Sequence, residues 1–363
     1  MSTTLLISER MVSPLRAVKN FNYHKGASIT SVDFDDLGQY LISCGIDKSI
    51  QVYDIHKGKH FKDVQSQKYG AHLARFIHKG LNCLYASTPG ESSAETDSDA
   101  IRYLQLADNQ YVRYFRGHAA QVLDIQVNPV ADTFVSASLD CTVKMWDLRV
   151  ANATGNINTK VPSIIAYDPH GVVMALGRQS ILGKLQSTEN HTNNKGRIDF
   201  FDLQNYDKGP FLLVELETLP NAIWNKLEFS NNGKLLLLGT DGPEHYVLDA
   251  FLGVLLTTIL LTLPNEFKPG DRWMRFNYHC SGSVCFTPDG RYIIVGSPLK
   301  NILIYDTNNM NTNPSTVNNR HKLLPIKNYR TENGVPKIVA FNPKLFTLAV
   351  ADNTVTLWQS EAQ

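Results

Sequence analysis

The chain has 363 residues, of which 43% are hydrophobic and 19% are charged, so it can form one large or two medium-sized domains with a substantial core. Its formal net charge of +1 gives no global basic field, which argues against direct, specific binding of nucleic acid. The five cysteines have no zinc-binding spacing, a pattern typical of reduced thiols in a cytosolic or nuclear protein. The N-terminus lacks a signal-peptide pattern, and the most apolar stretch, 251–263, is too short to cross a membrane.

The first part of the chain contains short apolar runs separated by turn residues. Residues 1–14 are predicted to be a flexible N-terminus, and LRAVKNF at 15–21 has the character of a strand. The segment SVDFDDLGQYLISCGIDKSIQVYDI at 31–55 holds β-branched runs that predict antiparallel strands rather than helices. Residues 69–106 repeat this arrangement less clearly, with a polar, acidic insert at 89–99 that we expect to be a mobile loop.

The clearest copy of the unit is GHAAQVLDIQVNPVADTFVSASLDCTVKMWDL at 117–148. It begins with Gly-His, ends with Trp-Asp and contains three apolar runs broken by turns, which is the signature of one WD40 propeller blade. A single blade cannot bury both faces of its small sheet, so neighbouring copies are expected.

The residue in the Trp-Asp place recurs seven times, at positions 53, 104, 146, 201, 248, 305 and 358. Each interval fits a blade of roughly 40–45 residues once loops are added. We therefore predict an all-β, seven-bladed WD40 β-propeller that forms a single domain over residues 15–363, with a second polar insert at 178–196. Since little sequence follows the last predicted strand, residues 15–21 are expected to close the last blade as its outer strand.

Four side chains of the unit at 117–148 can form one hydrogen-bonded network: His118, Ser136, Asp140 and Trp146. A buried imidazole, hydroxyl, carboxylate and indole N–H each need a partner, and a chain from Trp to Ser to His to Asp would satisfy all four. A hydrolytic Ser-His-Asp triad is the alternative. The blade-like spacing and the place of the serine inside a predicted strand favour the structural network. In the unit at 31–55 the matching residues are Ser43, Asp47 and Tyr53.

Several segments of the chain resemble the WD40 subunit of COMPASS, the histone H3 methyltransferase complex; in yeasts this subunit also belongs to the cleavage and polyadenylation factor. The resemblance covers about 18–358, and its clearest segments are KYGAHLARFIH (68–78), IRYLQLADNQYVRYFRGH (101–118), DKGPF (207–211), WNKLEFSNNGKLLL (224–237) and LDAFLGV (248–254). The acidic insert at 89–99 and the polar insert at 178–196 depart from the family, and the asparagines of the second insert suggest a fungal member.

The resemblance implies a non-catalytic nuclear scaffold without cofactor or metal. Its implied partners are the N-terminal region of the COMPASS methyltransferase, other COMPASS subunits and subunits of the polyadenylation factor. Its implied roles are support of higher methylation states on a histone H3 lysine during transcription, and a structural role in mRNA 3′-end processing and transcription termination.

Three groups of residues are candidates for partner contacts. Arg113, Tyr114 and Arg116 mix basic and aromatic character before the central blade, although Tyr114 could instead be a packed residue of an outer strand. Large apolar groups without a place in the blade pattern occur in a long connection, namely Trp273, Met274 and Phe276, and these either form an interface or cover the ring. Trp224 is a third candidate at the rim, with core packing as its alternative.

The sequence does not indicate an enzyme, since it contains no Walker A, HExxH or GxSxG motif. The adjacent pair His279 and Cys280 would point to opposite faces of a strand, which argues against a thiol–imidazole pair. The histidines have no metal-ligand spacing. The alternative to a scaffold is a WD40 reader that recognises a modified histone tail or a phosphopeptide at its central pore.

Overall fold

The computed structural model of the chain describes residues 7–88, 99–179, 195–219, 222–265, 280–310 and 322–360. Within these ranges the strands pair into seven sheets, six of four strands and one of five. The protein is an all-β propeller of seven blades, as the sequence predicted. A short helix, α1 (Glu9–Val12), and strand β1 (Leu15–Phe21) precede the first blade.

Each blade contains four antiparallel strands, numbered here from the channel outwards along the chain. Blade 1 consists of β2 (Ile29–Phe34), β3 (Tyr40–Gly45), β4 (Ser49–Asp54) and β5 (Lys59–Gln65); blade 2 of β6 (His72–Phe76), β7 (Asn82–Ala86), β8 (Ile101–Gln105) and β9 (Gln110–Phe115); and blade 3 of β10 (Val122–Val127), β11 (Thr133–Ser138), β12 (Thr142–Asp147) and β13 (Gly155–Asn158).

The second half of the ring follows the same order, except that blade 5 has a fifth strand and the outer strand of blade 7 is β1. Blade 4 consists of β14 (Ser163–Tyr167), β15 (Val173–Gln179), β16 (Lys195–Asp202) and β17 (Leu212–Glu217); blade 5 of β18 (Trp224–Phe229), β19 (Leu235–Thr240), β20 (Glu244–Asp249) and β21 (Leu255–Leu260), joined by the short parallel strand β25 (Lys322–Leu323); blade 6 of β22 (Val284–Phe286), β23 (Tyr292–Ser297), β24 (Asn301–Asp306) and β26 (Lys327–Arg330); and blade 7 of β27 (Ile338–Phe341), β28 (Thr347–Ala351), β29 (Val355–Ser360) and β1.

The seven residues in the Trp-Asp place all lie on the third strand of their blade. Each one is buried and pairs with an apolar residue of the second strand, for example Trp146 with Phe134 and Trp358 with Leu348. The repeat therefore places one large or branched apolar side chain at the same depth in every blade, where it packs between neighbouring sheets.

Strand β1 closes the ring, as predicted. It pairs antiparallel with β29 from Leu15 opposite Ser360 to Phe21 opposite Val355, with one register shift between Ala17 and Lys19. The outer strand of the last blade thus comes from the N-terminal part of the chain. This arrangement ties together segments that are more than 300 residues apart in sequence.

The apolar core consists of seven clusters, and each cluster fills the space between two neighbouring blades. Blades 2 and 3, for example, share a cluster that contains Phe115, Phe134 and Trp146. Blades 7 and 1 share a cluster that contains Ile338 and Tyr53. Because every neighbouring pair of blades has such a cluster, including the pair at the closure, the core is a continuous ring.

Carboxylates on the innermost strands also join neighbouring blades. Asp33 of β2 accepts a hydrogen bond from the Phe76 amide of β6 at 2.8 Å, and Asp124 of β10 accepts one from the amide of Ile165 in β14 at 2.9 Å. Burial raises the pKa of Asp33 to about 6, although Arg75 and the Phe76 amide act to lower it. These contacts fix the spacing of the blades around the channel.

The segment 7–14 differs from the flexible N-terminus that the sequence suggested. Ile7 and Val12 are buried against blades 6 and 7, and the Tyr329 hydroxyl donates to the Val12 carbonyl at 2.6 Å. The helix α1 has only four residues, too few for a recognisable apolar period, so its packing could not be read from the sequence. Of the two predicted inserts, 89–98 and 180–194 lie outside the described residues, whereas Gln179 and Lys195 belong to strands.

Candidate functional site

The four predicted network residues of blade 3 lie in one hydrogen-bonded chain. Trp146 Nε1 donates to Ser136 Oγ at 2.8 Å, and Ser136 Oγ lies 2.7 Å from His118 Nε2. His118 Nδ1 lies 3.0 Å from a carboxylate oxygen of Asp140. A neutral imidazole protonated at Nδ1 satisfies every group, since the serine hydroxyl then donates to Nε2 and Nδ1–H donates to the carboxylate.

The environment of Asp140 completes this network. The Thr142 hydroxyl donates to its carboxylate at 2.6 Å, and the Ala119 amide donates at 2.9 Å. Burial acts to raise the pKa of Asp140, but the hydrogen bonds from His118, Thr142 and the Ala119 amide outweigh burial and hold the pKa below its usual range. Ser136 itself is fully buried inside β11, so no substrate reaches its hydroxyl. The network joins strands of the blade, and Ser136 does not resemble an exposed nucleophile.

Blade 1 contains a second network whose histidine the sequence interpretation missed. His24 Nε2 lies 2.8 Å from Ser43 Oγ, His24 Nδ1 lies 3.0 Å from the Asp47 carboxylate, and Ser43 Oγ donates to the Tyr53 hydroxyl at 3.3 Å. His24 precedes Ser43 by 19 residues, close to the 18 that separate His118 from Ser136. That spacing was the available signal. It was hidden because Tyr23 precedes His24, where the central blade has glycine.

The central channel forms a cavity of about 640 Å³, lined by the first strands and following turns of all seven blades. Its basic side chains tie blades together, since Arg75 Nε donates to the Ile125 carbonyl at 3.2 Å and Lys226 Nζ donates to the Val284 carbonyl at 2.7 Å. Near the beginning of the first strands of blades 6 and 1, the Ser281 amide donates to the Thr30 carbonyl at 3.2 Å.

The outer strand of blade 2 and the residue that follows it form a surface that we call the outer patch, made of Tyr111, Val112, Tyr114 and Arg116. Tyr111 is 44% exposed and Val112 is 47% exposed. The Arg116 guanidinium lies over the Tyr114 ring at 5.2 Å, and the Tyr111 and Tyr114 rings are 5.3 Å apart. Two of the predicted contact residues, Tyr114 and Arg116, therefore lie together.

Comparison with known proteins decides the family. The model of the WD domain, G-beta repeat matches residues 15–54 and 109–147. The chain is 35% identical over 358 residues to COMPASS component SWD2 of Saccharomyces cerevisiae, with 98% of each chain covered. It is 34% identical to WD repeat-containing protein 82 of Drosophila melanogaster, over 91% of this chain and 90% of that protein. It is 31% identical to Set1 complex component swd2 of Schizosaccharomyces pombe, over 98% of this chain and 99% of that protein.

The chain belongs to the Swd2 family of WD40-repeat proteins. The two segments that match the general repeat contain the polar networks of blades 1 and 3. The other blades of this Swd2-family chain keep the strand order but replace members of the network. In blade 7, for example, Val350 stands in the register position of Ser136.

Two of the predicted contact residues have internal roles in this Swd2-family propeller. Trp224 is fully buried, its ring covers Gly196, and its amide donates to Gln179 Oε1 at 3.0 Å. The prediction that Trp224 contacts a partner at the rim is therefore wrong, because a ring at the blade 4–5 seam fills core space. Arg113 is half-buried and donates to the carbonyl of Leu148, which joins blade 2 to blade 3.

The remaining candidates lie outside the described residues, namely Trp273, Met274, Phe276 and His279. Cys280 is buried, and burial raises the pKa of its thiol to about 12. In the part of the chain that the structure describes, no group of three His, Cys, Asp or Glu side chains is placed to hold a metal ion. No described helix is long and apolar enough to cross a membrane.

Proposed function

We propose that this Swd2-family protein is a non-catalytic scaffold subunit of a nuclear COMPASS complex, in which it supports the higher methylation states of a histone H3 lysine. The observation that carries the proposal is the full-length match to two yeast proteins named as COMPASS or Set1 complex components, at 35% and 31% identity. The match to the Saccharomyces cerevisiae protein covers 98% of both chains, so it spans all seven blades of this protein.

The geometry supports a scaffold in two ways. Inside blade 3, hydrogen bonds join the three polar residues that resemble a catalytic set, His118, Ser136 and Asp140. The closed ring also presents outer strands and turns around its whole circumference, which suits a protein with several neighbours.

The test is purification of the tagged full-length protein from nuclei of the organism that encodes it, followed by mass spectrometry and measurement of histone H3 lysine methylation. We expect the COMPASS methyltransferase to co-purify through its N-terminal region, and we expect depletion of the protein to reduce the higher methylation states. Recovery without the methyltransferase or any other COMPASS subunit would refute the assignment.

A matched pair of variants in the same experiment examines the outer patch. Arg116→Glu reverses a charge within the patch, and Lys59→Glu reverses an exposed charge on the outer strand of blade 1. If the patch contacts a partner, Arg116→Glu reduces recovery of that partner by about tenfold or more, while Lys59→Glu leaves recovery unchanged. Equal recovery with both variants would remove the patch from the interface.

The proposal extends to the cleavage and polyadenylation factor, which rests on the resemblance of the sequence alone. The same purification distinguishes the two memberships, because polyadenylation-factor subunits would appear beside the COMPASS subunits. Their absence, with COMPASS present, would restrict the protein to methylation.

A peptide reader is the second candidate, favoured by the cavity of about 640 Å³ at the channel. A reader binds an isolated modified histone-tail peptide or phosphopeptide with measurable affinity, whereas a scaffold requires longer or folded partner segments. Titration of the full-length protein with both peptides by calorimetry separates the two functions.

A further inference from the structure

The outer strands of the blades differ in how their edges are protected. In the part of the chain that the structure describes, register shifts interrupt the pairing of β1, β5, β9 and β21 with their neighbours. Such β-bulges twist an edge and hinder further pairing. Strands β13 and β26 have only four residues each. Strand β17 (Leu212–Glu217) has six residues and pairs with β16 without a shift, so it presents the longest uninterrupted outer edge.

The edge of β17 faces solvent. It is the last strand of blade 4, and no described strand pairs with its outer side. Leu213 is 52% exposed, and Glu215 and Glu217 are exposed as well. In antiparallel pairing, every second residue of an edge strand directs its N–H and C=O groups away from the partner strand. These groups form a row of donors and acceptors with which a further strand can pair.

An exposed apolar surface lies beside this edge. Phe211, directly before β17, is 61% exposed, and the turn after β20 carries Phe251 and Leu252, which are 87% and 59% exposed. The turn lies against β17, because a Cβ atom added to Gly253 would lie only 2.4 Å from Val214 Cγ2. We call β17 together with Phe211, Phe251 and Leu252 the edge surface. Several large exposed apolar side chains in one place are typical of a contact with another protein.

Blade 5 shows what kind of segment covers an outer edge in this ring. Strand β25 pairs in parallel with β21, with Thr258 opposite Lys322 and Ile259 opposite Leu323. In the chain, β25 follows the first three strands of blade 6, so it reaches this edge from another blade. Leu323 is buried in the cluster between blades 5 and 6. An extended segment thus pairs through its backbone and packs an apolar side chain beside the edge.

We propose that β17 accepts a fifth strand from a partner protein, namely an extended segment with apolar side chains at alternate positions. Its backbone pairs with the outer edge of β17, and one set of alternate side chains packs on Phe251 and Leu252, since successive side chains of a strand point to opposite faces. This mode of binding rests on the proposed scaffold function only in that it requires a protein partner. It does not depend on which complex contains that partner.

The test begins with a random-peptide display library selected on the full-length wild-type protein. Fluorescence polarisation then gives the dissociation constants of the enriched peptides, which we expect to have apolar residues at alternate positions. Hydrogen exchange of the protein with and without such a peptide should show slower exchange in β17, and unchanged exchange in the outer strands β9 and β13. No COMPASS subunit enters this experiment, so its failure and the failure of the proposed COMPASS membership are distinguishable.

Two N-methylated forms of the tightest peptide test strand pairing itself. Each form carries methyl groups on one of the two sets of alternate amides. Only one set faces β17 in an added strand, so one form should lose affinity by about tenfold or more and the other should bind like the parent peptide. Equal affinities of the two forms would show apolar contact without strand pairing and would contradict the proposal.

Matched variants locate the site on the protein. Leu213→Lys places a charge on the edge, which opposes strand addition, and should weaken the peptides by about tenfold or more. Val18→Lys, on the outer strand of blade 7, makes a similar change at a similarly exposed residue and should have no effect. Phe251→Ser should weaken the peptides by about three- to tenfold through lost apolar contact, whereas Phe61→Ser on β5 should not. All four residues are exposed, so melting temperatures near that of the wild type will show that the variants remain folded.

Several outcomes would overturn the proposal. One is a selection that yields no peptide, or peptides whose apolar residues do not alternate. Another is a peptide that binds Leu213→Lys as tightly as the wild type, or that slows exchange in a strand other than β17. A third is dimerisation of the wild type in analytical ultracentrifugation that Leu213→Lys abolishes, which would make a second copy of this chain the occupant of the edge.

Discussion

The hydroxyl group of Ser136 links two other side chains of the network in blade 3. It accepts from the buried Trp146 indole and pairs with His118 Nε2, so it connects a strand of the blade to the segment that precedes it. Removing it leaves a donor and a ring nitrogen without partners in a site that water does not reach.

Ser136→Ala is therefore expected to lower the free energy of unfolding by about 1–3 kcal/mol. Ser283→Ala is the matched control, because Ser283 is equally buried but its hydroxyl has no hydrogen-bond partner among the described residues. The control should stay within about 0.5 kcal/mol of the wild type. Urea denaturation followed by tryptophan fluorescence measures both, and equal losses would show that the network does not stabilise the blade.

His245 of β20 makes the free energy of unfolding depend on pH. It is fully buried, its Nδ1 accepts from the Thr240 amide at 3.2 Å, and burial lowers its pKa from the usual 6.5 to about 3. Between these values the unfolded chain binds a proton that the folded protein does not, so stability falls as the pH falls from about 6.5 towards 3.

In His245→Asn this pH dependence disappears, because the side-chain amide of asparagine can accept the Thr240 hydrogen bond but does not titrate. We expect the wild type to lose about 1 kcal/mol more per pH unit than this variant below pH 6.5. Urea denaturation at several values between about pH 4 and about pH 7 provides the comparison. Parallel curves would contradict the assignment to His245.

At the scale of elements, closure strand β1 combines two very different kinds of position. Leu15 is 5% exposed and belongs to the cluster between blades 6 and 7, whereas Val18 is 42% exposed at the register shift. The strand therefore stabilises the ring through its buried ends, Leu15 and Phe21, more than through its exposed middle.

Leu15→Asp is accordingly expected to destabilise the ring by about 3 kcal/mol or more, since it removes apolar burial and places a carboxylate in the core. Val18→Asp introduces the same charge in the same strand and should change stability by less than about 0.5 kcal/mol. Hydrogen exchange across the described strands should show Leu15→Asp weakening blades 6 and 7 together. An effect confined to β1 would mean that closure does not hold the ring.

At the scale of the whole molecule, closure comes from the interfaces between blades. The seven shared clusters and the carboxylate contacts of Asp33 and Asp124 repeat around the channel, so each blade is stabilised by two neighbours. Divergence of a polar network in one blade, such as Val350 in blade 7, is compatible with the ring because those interfaces remain.

The sequence by itself determined the blade count, the closure strand and the network of blade 3. The blade count and the network follow from local patterns: β-branched runs between turn residues, a recurring Trp-Asp place, and His, Ser, Asp and Trp at the spacing of one blade. The closure strand is predicted from the strand-like sequence of residues 15–21. Such patterns act within about 40–45 residues, a distance over which a blade forms most of its own contacts.

Only the tertiary structure decided which side chains remain available to a partner. Trp224 is buried because blade 4 lies against it, and Arg113 is occupied because the Leu148 carbonyl of blade 3 lies beside it. The closure of the ring places Leu15 opposite Ser360, although these residues lie near opposite ends of the chain. These features depend on how neighbouring blades meet, and exposure is a property of that packing rather than of any segment alone.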